Sequence, residues 1–304
     1  MSDLPPVVVV ANPTAGGGKA GKLIGRADSL LRDLRIEHRI LVTRSPGDME
    51  AAVRETAEEG TPIVAVLGGD GTVSCAANGL LGTGAALAVL PAGTGDDFAK
   101  AIGAARFDPA VRLLADPKVR PVDVVKVTAG ATVRHFVNVA GAGFDSEVNE
   151  TANAMSLRLG GTGTYVVALV RTLSRFHPAR YRISVDDRRF EGDAMLAVVG
   201  NGVSYGGGMK VTPTAVLDDG QLDVCVVEAL SKAAFFRAFP RVFAGTHTRH
   251  PKVQMFRGAR ISMEANRKLL LYADGERLGP LPAVFEVMAG ALPVVAGPDA
   301  KGLR

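Results

Sequence analysis

Residues 65–81 read AVLGGDGTVSCAANGLL, and the apolar run Pro62–Leu67 leads into them. That run is short and β-branched, as a buried strand requires. Gly68-Gly69-Asp70-Gly71-Thr72 follows, and then Val73, Ala76, Ala77 and Leu80 recur at helical spacing. Strand, glycine turn and helix in that order place backbone N–H groups and a helix N-terminus beside one open space, which favours a phosphate. The glycines let a ligand approach the backbone closely. Asp70 is the odd member. A carboxylate beside a phosphate repels it unless a cation intervenes, so Asp70 points to Mg²⁺ or to a water network around one. Read alone, GGDGT is also a plain βα turn with a capping side chain.

Upstream, Val7–Ala11 has no alternation, as in a parallel sheet covered on both faces. Asn12–Lys19 is a turn and glycine-rich loop, and a helix is expected over Ala20–Leu34. His38–Thr43 reads as the next strand and Asp48–Glu59 as a helix. Downstream, Ala85–Leu90 is a strand closed by Pro91-Ala92-Gly93-Thr94-Gly95-Asp96-Asp97-Phe98. Helices are expected over Asp97–Ile102 and Pro109–Ala115. Alternation to about residue 120 predicts a doubly wound α/β unit, whose loops after the first, third and fourth strands meet at one sheet edge.

The period then changes. Pro121–Thr128, Val133–Ala140, Tyr181–Val185, Ala194–Gly200, Leu222–Val227, Arg260–Ala265 and Leu269–Ala273 read as strands joined by Gly, Asp-Asp or Pro turns. Thr164–Phe176 and Ser231–Ala244 are helical insertions, the second broken near Pro240. Ala283–Val295 is apolar and strand-like. The expected organisation is a doubly wound α/β domain over 1–122 and a β-rich domain over 123–295. No internal repeat is visible.

The chain has 304 residues, 47% of them hydrophobic, which is ample for a large core. A net charge of +4 is too small to argue for nucleic acid, and none is expected as a partner. Cys75 and Cys225 share no metal spacing and read as reduced thiols. The N-terminal segment lacks a basic leader pattern, and no run reaches the roughly 18 uncharged apolar residues of a membrane span. The expected location is cytoplasmic, and any meeting with a membrane is expected at its surface. The oligomeric state stays open, a homodimer included.

Two glycine patterns mislead. Gly16-Gly17-Gly18-Lys19-Ala20-Gly21 fits G-x-G-x-x-G, but the second strand ends Val42-Thr43-Arg44 without the acidic residue a dinucleotide ribose needs. Gly16–Lys22 also approaches a Walker A loop, but Leu23 stands where the Mg²⁺-binding Ser or Thr belongs.

Taken together, the motifs resemble the diacylglycerol kinase catalytic-domain family, which includes bacterial soluble lipid kinases and sphingosine kinases. Asn12-Pro13-x-x-Gly16 looks like its first nucleotide loop, and Gly68–Thr72 like its GGDGT signature. Pro91-Ala92-Gly93-Thr94-Gly95-x-Asp97-Phe98-Ala99 is similar to its P-x-G-T-x-N-D-F-A segment. Asp218-Asp219-Gly220-x-Leu222-Asp223 and Asp274-Gly275-Glu276 resemble its later motifs. The likeness spans nearly the whole chain. GGDGT alone is shared with NAD kinases and phosphofructokinases.

The resemblance implies a nucleotide-binding α/β domain over 1–122, a β-sandwich lipid-substrate domain over 123–295, and ATP- and Mg²⁺-dependent transfer of phosphate to a lipid hydroxyl in the cleft between them, with diacylglycerol as the first expectation and a sphingoid base as another. By family likeness ATP touches Asn12, Pro13, Thr14, Ala15, Gly16, Thr43, Gly68, Gly69, Asp70, Gly71, Thr72, Val73, Ser74 and Thr94. Glu276 is the implied general base, with Asp274 assisting and Asp70 in the catalytic set. A structural Mg²⁺ is implied in the Asp219 turn, held by that carboxylate and the carbonyls of Val216 and Gln221. The last residues, about 296–304, are expected to return to the first domain. One departure stands out: Asp96 replaces the family Asn, which removes two N–H donors and adds charge.

A lipid partner has separate support. From Ala229 to Met263 there is no Asp or Glu, while Lys232, Arg237, Arg241, Arg249, Lys252, Arg257 and Arg260 alternate with Phe235, Phe236, Phe239 and Phe243. Cations beside apolar side chains suit an anionic bilayer surface, at about 1 kcal/mol per cation. An amphipathic helix packed on the sandwich has the same pattern. Two other functions are expected to compete: an NAD kinase-like enzyme with a soluble acceptor, and a catalytically silent nucleotide- or lipid-binding regulator.

Overall fold

A computed structural model describes residues 6–154 and 161–304. Residues 1–5, part of the N-terminal segment read for a leader, lie outside it. The first unit alternates as the period predicts: β1 (Val7–Ala11), α1 (Ala15–Asp33), β2 (His38–Val42), α2 (Pro46–Glu58), β3 (Ile63–Gly68), α3 (Asp70–Leu80) and β4 (Ala86–Pro91). Its strands are parallel in the order β2-β1-β3-β4. β1, β3 and β4 are buried along their whole length, because helices cover both faces. α2 starts where Ser45 accepts a hydrogen bond from the Asp48 N–H at 3.1 Å, a cap worth about 1 kcal/mol. Two short helices follow, α4 (Asp97–Ala101) and α5 (Phe107–Arg112).

α1 begins five residues before the expected Ala20. Gly16, Gly17 and Gly18 in that first stretch are left-handed, with φ of 60°, 67° and 90°. It is therefore a glycine loop that leads into a regular helix, not a first turn.

The second unit is antiparallel. β5 (Val119–Ala129), β6 (Thr132–Phe136) and β7 (Val139–Gly143) come first, then α6 (Phe144–Ala154) and α7 (Gly161–Arg175). β8 (Ala179–Val185), β9 (Arg188–Gly200) and β10 (Leu222–Glu228) precede α8 (Lys232–Ala238) and α9 (Arg241–Ala244). β11 (Val253–Gly258), β12 (Arg260–Ala265), β13 (Leu270–Ala273), β14 (Glu276–Pro280) and β15 (Ala283–Val295) complete the chain. The single strand expected over Val133–Ala140 is two, because the backbone turns away between Val137 and Asn138. The expected Ser231–Ala244 helix is two pieces with Pro240 between them.

β9 shows how this unit is filled. Ala197 and Val199 point into the core between the two β layers, while Leu196 and Val198 point into a second core under α6, α7 and α8. β15 pairs antiparallel with β5 and β12, and Val294 then pairs parallel with Leu87 of β4. One sheet path therefore runs from β14 to β2. Past β15, Gly297 and Gly302 donate to the carbonyls of Ile102 and Ala101 in the first unit.

Candidate active site

A cleft of about 580 Å³ opens where the carboxyl ends of β1, β3 and β4 face the ends of β7, β13 and β14. Three glycine loops form one wall. Asn12, Ala15 and Gly16 line it after β1, Gly69, Asp70, Gly71 and Thr72 after β3, and Gly93, Thr94 and Gly95 after β4. The loops interlock. Asn12 Nδ2 donates to Thr72 Oγ1 at 3.4 Å, and its Oδ1 accepts from the Thr14 hydroxyl at 2.8 Å. A Cβ at Gly16 would overlap the Ala92 carbonyl oxygen, so only glycine lets the first loop meet the third.

Asp70 Oδ1 accepts the N–H of Asp97 at 2.8 Å and of Phe98 at 3.4 Å. It thus ties the GGDGT loop to the start of α4. Burial, then the neighbouring Asp97 carboxylate, holds the Asp70 carboxyl above the usual range. Asp97 is itself spent, accepting from Ser204 Oγ at 2.9 Å and from the Gly207 N–H at 2.8 Å. Asp96 is left-handed (φ 50°) and accepts the Gly93 N–H at 2.9 Å.

The other wall carries Asp274 and Glu276. Asp274 (φ 47°) and Gly275 (φ 85°) are the two turn residues between β13 and β14, a tight hairpin of the type that needs positive φ twice. The turn is nevertheless inside the cleft. The Asp274 carboxylate accepts from the N–H groups of Val137, Asn138 and Val139 at 2.9, 3.2 and 3.0 Å. This bracket is what separates β6 from β7. Burial pushes Asp274 up to about 7 despite those donors. Glu276 stands at the first position of β14. Its Oε2 is 3.3 Å from Arg134 Nη2, and its Oε1 lies 3.6 Å from Cys75 Sγ. Arg134 also pairs with Glu50 of α2 at 2.9 Å, so one guanidinium joins the two units. Burial, with Glu276 beside it, pushes the Cys75 thiol up to about 12.

The structure does not bring every expected residue to the cleft. Thr43 is buried and its hydroxyl donates to the Ala11 carbonyl at 3.1 Å. Val73 and Ser74 are buried on α3, and Pro13, Thr14 and Gly68 are not among the cleft-lining residues. The Asp219 turn is elsewhere, in a separate surface recess with Asp218 and Gly220. Asn138, Gly141, Asp145, Tyr205 and Tyr272 line the cleft without having been singled out in the sequence. Tyr205-Gly206-Gly207-Gly208 was the available signal, a fourth glycine loop that meets Asp97.

An apolar pocket adjoins the cleft. Phe144, Leu196, Val211, Phe235, Phe239 and Val242 are among its walls, and Asp145, Tyr205 and Met209 belong to both spaces.

Comparison with known proteins places this architecture. The diacylglycerol kinase catalytic domain matches residues 6–127, and the YegS C-terminal NAD kinase beta sandwich-like domain matches residues 138–296. A diacylglycerol kinase of Mycobacterium tuberculosis is 33% identical over 293 residues, covering 95% of this chain and 94% of that protein. The chain belongs to the diacylglycerol kinase family. A probable lipid kinase YegS of Salmonella newport is 30% identical over the full length of both chains. A Bacillus anthracis crystal structure, described as a candidate diacylglycerol kinase, superposes with a TM-score of 0.82 at 28% identity, covering 99% of this chain and 98% of that one. As a member of this family, the protein is an enzyme of the lipid-kinase class.

Proposed function

We propose that the cleft binds ATP on its glycine-loop wall and transfers the γ-phosphate to a hydroxyl of a membrane lipid. The observation that carries this reading is the convergence of three glycine loops on one wall with Glu276 on the other, beside an apolar pocket. Phosphoryl transfer needs positioning, charge neutralisation and a base, and each has a candidate here. The units that supply the two walls are taken as residues 1–122 and 123–295, with 296–304 packed back on the first.

Two positions bear on Mg²⁺. The hydrogen bonds of Asp70 fall on Oδ1, and the charges of Asp97 and Asp96 crowd its carboxyl. An acid in that state, with Oδ2 turned to the Gly95 side of the cleft, fits a cation arriving with polyphosphate. Bound there, Mg²⁺ would neutralise charge on the transferring phosphate. The Asp219 turn does not fit one. Its carboxylate is already paired with Arg257 and with Arg304 (3.2 Å), and accepts the Gln221 N–H at 3.0 Å. Two guanidinium groups occupy the role the resemblance gave to a metal, and the carbonyls of Val216 and Gln221 are not needed as ligands.

The chain's own residues then divide the work. Glu276 takes the proton of the lipid hydroxyl, and Arg134 fixes the rotamer of that carboxylate from behind. Asp274 anchors the turn that carries Glu276. Backbone N–H groups of the glycine loops hold the phosphates. The apolar pocket receives the start of a lipid chain.

The lipid is reached from a membrane surface. Phe236 and Phe243 on the α8–α9 segment are about half exposed, as is Val170 on α7. Lys232 ties the two elements by donating to the Ser174 carbonyl. Arg237 and Arg241 flank the phenylalanines, so this face suits peripheral binding to anionic lipid. Phe235 of the same helix is buried, so one element serves both the core and the surface. Among the described residues no helix is long and apolar enough to cross a membrane.

Transfer of labelled γ-phosphate from ATP to lipids in mixed micelles, with NAD as a soluble control, tests the proposal. Label in a lipid supports it. Label in NAD alone, or ATP binding with no transfer, overturns it.

A further inference from the structure

One buried carboxyl has no part in the chemistry proposed above. Asp145, the second residue of α6, is 7% exposed and lines both the polar cleft and the apolar pocket. Its Oδ2 is 3.4 Å from the Tyr205 hydroxyl. Among the described residues, its Oδ1 is buried and has no hydrogen-bond partner. The neighbouring strand leaves room for this group, because a Cβ at Gly141 would overlap Oδ2. Buried polar atoms in folded proteins are nearly always paired, and an unpaired one is costly to keep. Asp145 lies where the polar cleft meets the apolar pocket.

The chemistry of the missing partner can be narrowed. Burial moves the Asp145 carboxyl up to about 6, which leaves it mostly ionised at neutral pH and acceptor-only. Its partner must therefore donate. The apolar pocket, walled by Phe144, Leu196, Phe235 and Phe239, takes the first methylenes of a lipid chain. A diacylglycerol presents an ester oxygen next to its one hydroxyl, which would set acceptor against acceptor.

We infer that Asp145 binds a second hydrogen-bond donor on the lipid head, beside the reacting hydroxyl, and so selects single-chain diols or amino alcohols over diacylglycerol. This rests on the lipid-kinase reading of the same cleft and orders its acceptors. The shared chemistry is a donor one or two carbons from the acceptor hydroxyl. It comes either as a hydroxyl, in a monoacylglycerol, or as an ammonium, in a long-chain base.

The test compares kcat/KM for a monoacylglycerol, a long-chain amino alcohol and a diacylglycerol of matched chain length in mixed micelles. A hydrogen bond to a charged group predicts that at least one donor-bearing head exceeds diacylglycerol by about ten- to a hundredfold. Whichever of the two leads identifies the source of the donor. Asp145→Asn keeps the shape and replaces one acceptor oxygen with an N–H₂, so the same ratio should fall towards one or below it. The ratio is internal to each protein, and the wild-type comparison needs no variant to fold. Diacylglycerol used as well as the others, or a ratio unmoved by Asp145→Asn, overturns this inference and leaves the lipid-kinase reading standing. Absence of label in every lipid overturns both.

Discussion

Asp96 stands where the family resemblance expects Asn, and the structure gives it a task that either side chain performs. From a left-handed conformation its Oδ1 accepts the Gly93 N–H, which closes the third glycine loop. An Asn oxygen accepts equally well, and Asn also tolerates positive φ. Asp96→Asn should therefore leave kcat/KM within about threefold of wild type in steady-state phosphotransfer. A loss of ten times that size would give the Asp96 charge a role of its own. Asp274 behaves differently, because its charge is buried under three amides. Its carboxyl sits at about 7, well above the roughly 3.9 of an unfolded chain. Between about pH 4 and pH 7 the folded protein therefore holds a proton the unfolded chain has released, and stability falls as pH rises through that window. An amide at this position does not titrate, so in urea unfolding the stability advantage of wild type over Asp274→Asn should shrink as pH rises from about 4 to about 7. A gap that widens instead would contradict the burial of this group. Motif residues such as Asp70, Asp274 and Glu276 were legible because their spacing is local. Asp145 and Asn138 were not, because their importance comes only from strands distant in sequence that meet at the cleft.

Elements were easier to read than their ends. VVVVA and IVAVLG could hardly be anything but buried strands, and the structure has both. The β6–β7 break was invisible, because what breaks the strand is a carboxylate 137 residues away. The first loop was read as glycine-rich, and its function depends on that. Gly16→Ala places a Cβ against the Ala92 carbonyl at a φ that L residues rarely adopt, and should weaken ATP binding about tenfold or more by displacing the loop. Isothermal titration checks this, and unchanged affinity would take the loop out of the nucleotide site. The α8–α9 segment makes a separate prediction. Replacing both Phe236 and Phe243 with Ser should cut sedimentation with anionic vesicles by about tenfold or more, since each buried aromatic contributes on the order of 1.5–3 kcal/mol. Binding that survives the change would move the membrane contact elsewhere.

At the scale of the whole molecule, the two units share a sheet and a guanidinium. β15 belongs to the second unit by its pairing with β5 and β12, yet it ends against β4. The apolar tail was legible as a strand, but its place in the sheet was not, because pairing partners are set by packing rather than by local pattern. Arg134 pairs with both Glu50 of α2 and Glu276 of β14, so the Glu276 carboxylate is held by a contact that also joins the two units. Far from the cleft, Arg257 and Arg304 pair with the Asp219 carboxylate. Without nucleotide, EDTA should therefore leave the melting midpoint where it is, since an ion bound only to the folded state would raise it. A fall on chelation would mean that the turn binds a cation after all. If the cleft transfers phosphate with Glu276 as base, Glu276→Gln should separate nucleotide binding from transfer. ATP binding and transfer of labelled phosphate to lipid would be measured on the same samples. The account predicts equal ATP affinity and transfer slowed by about 10²–10⁴-fold in the variant. Transfer at the wild-type rate would remove Glu276 from the chemistry and contradict the account.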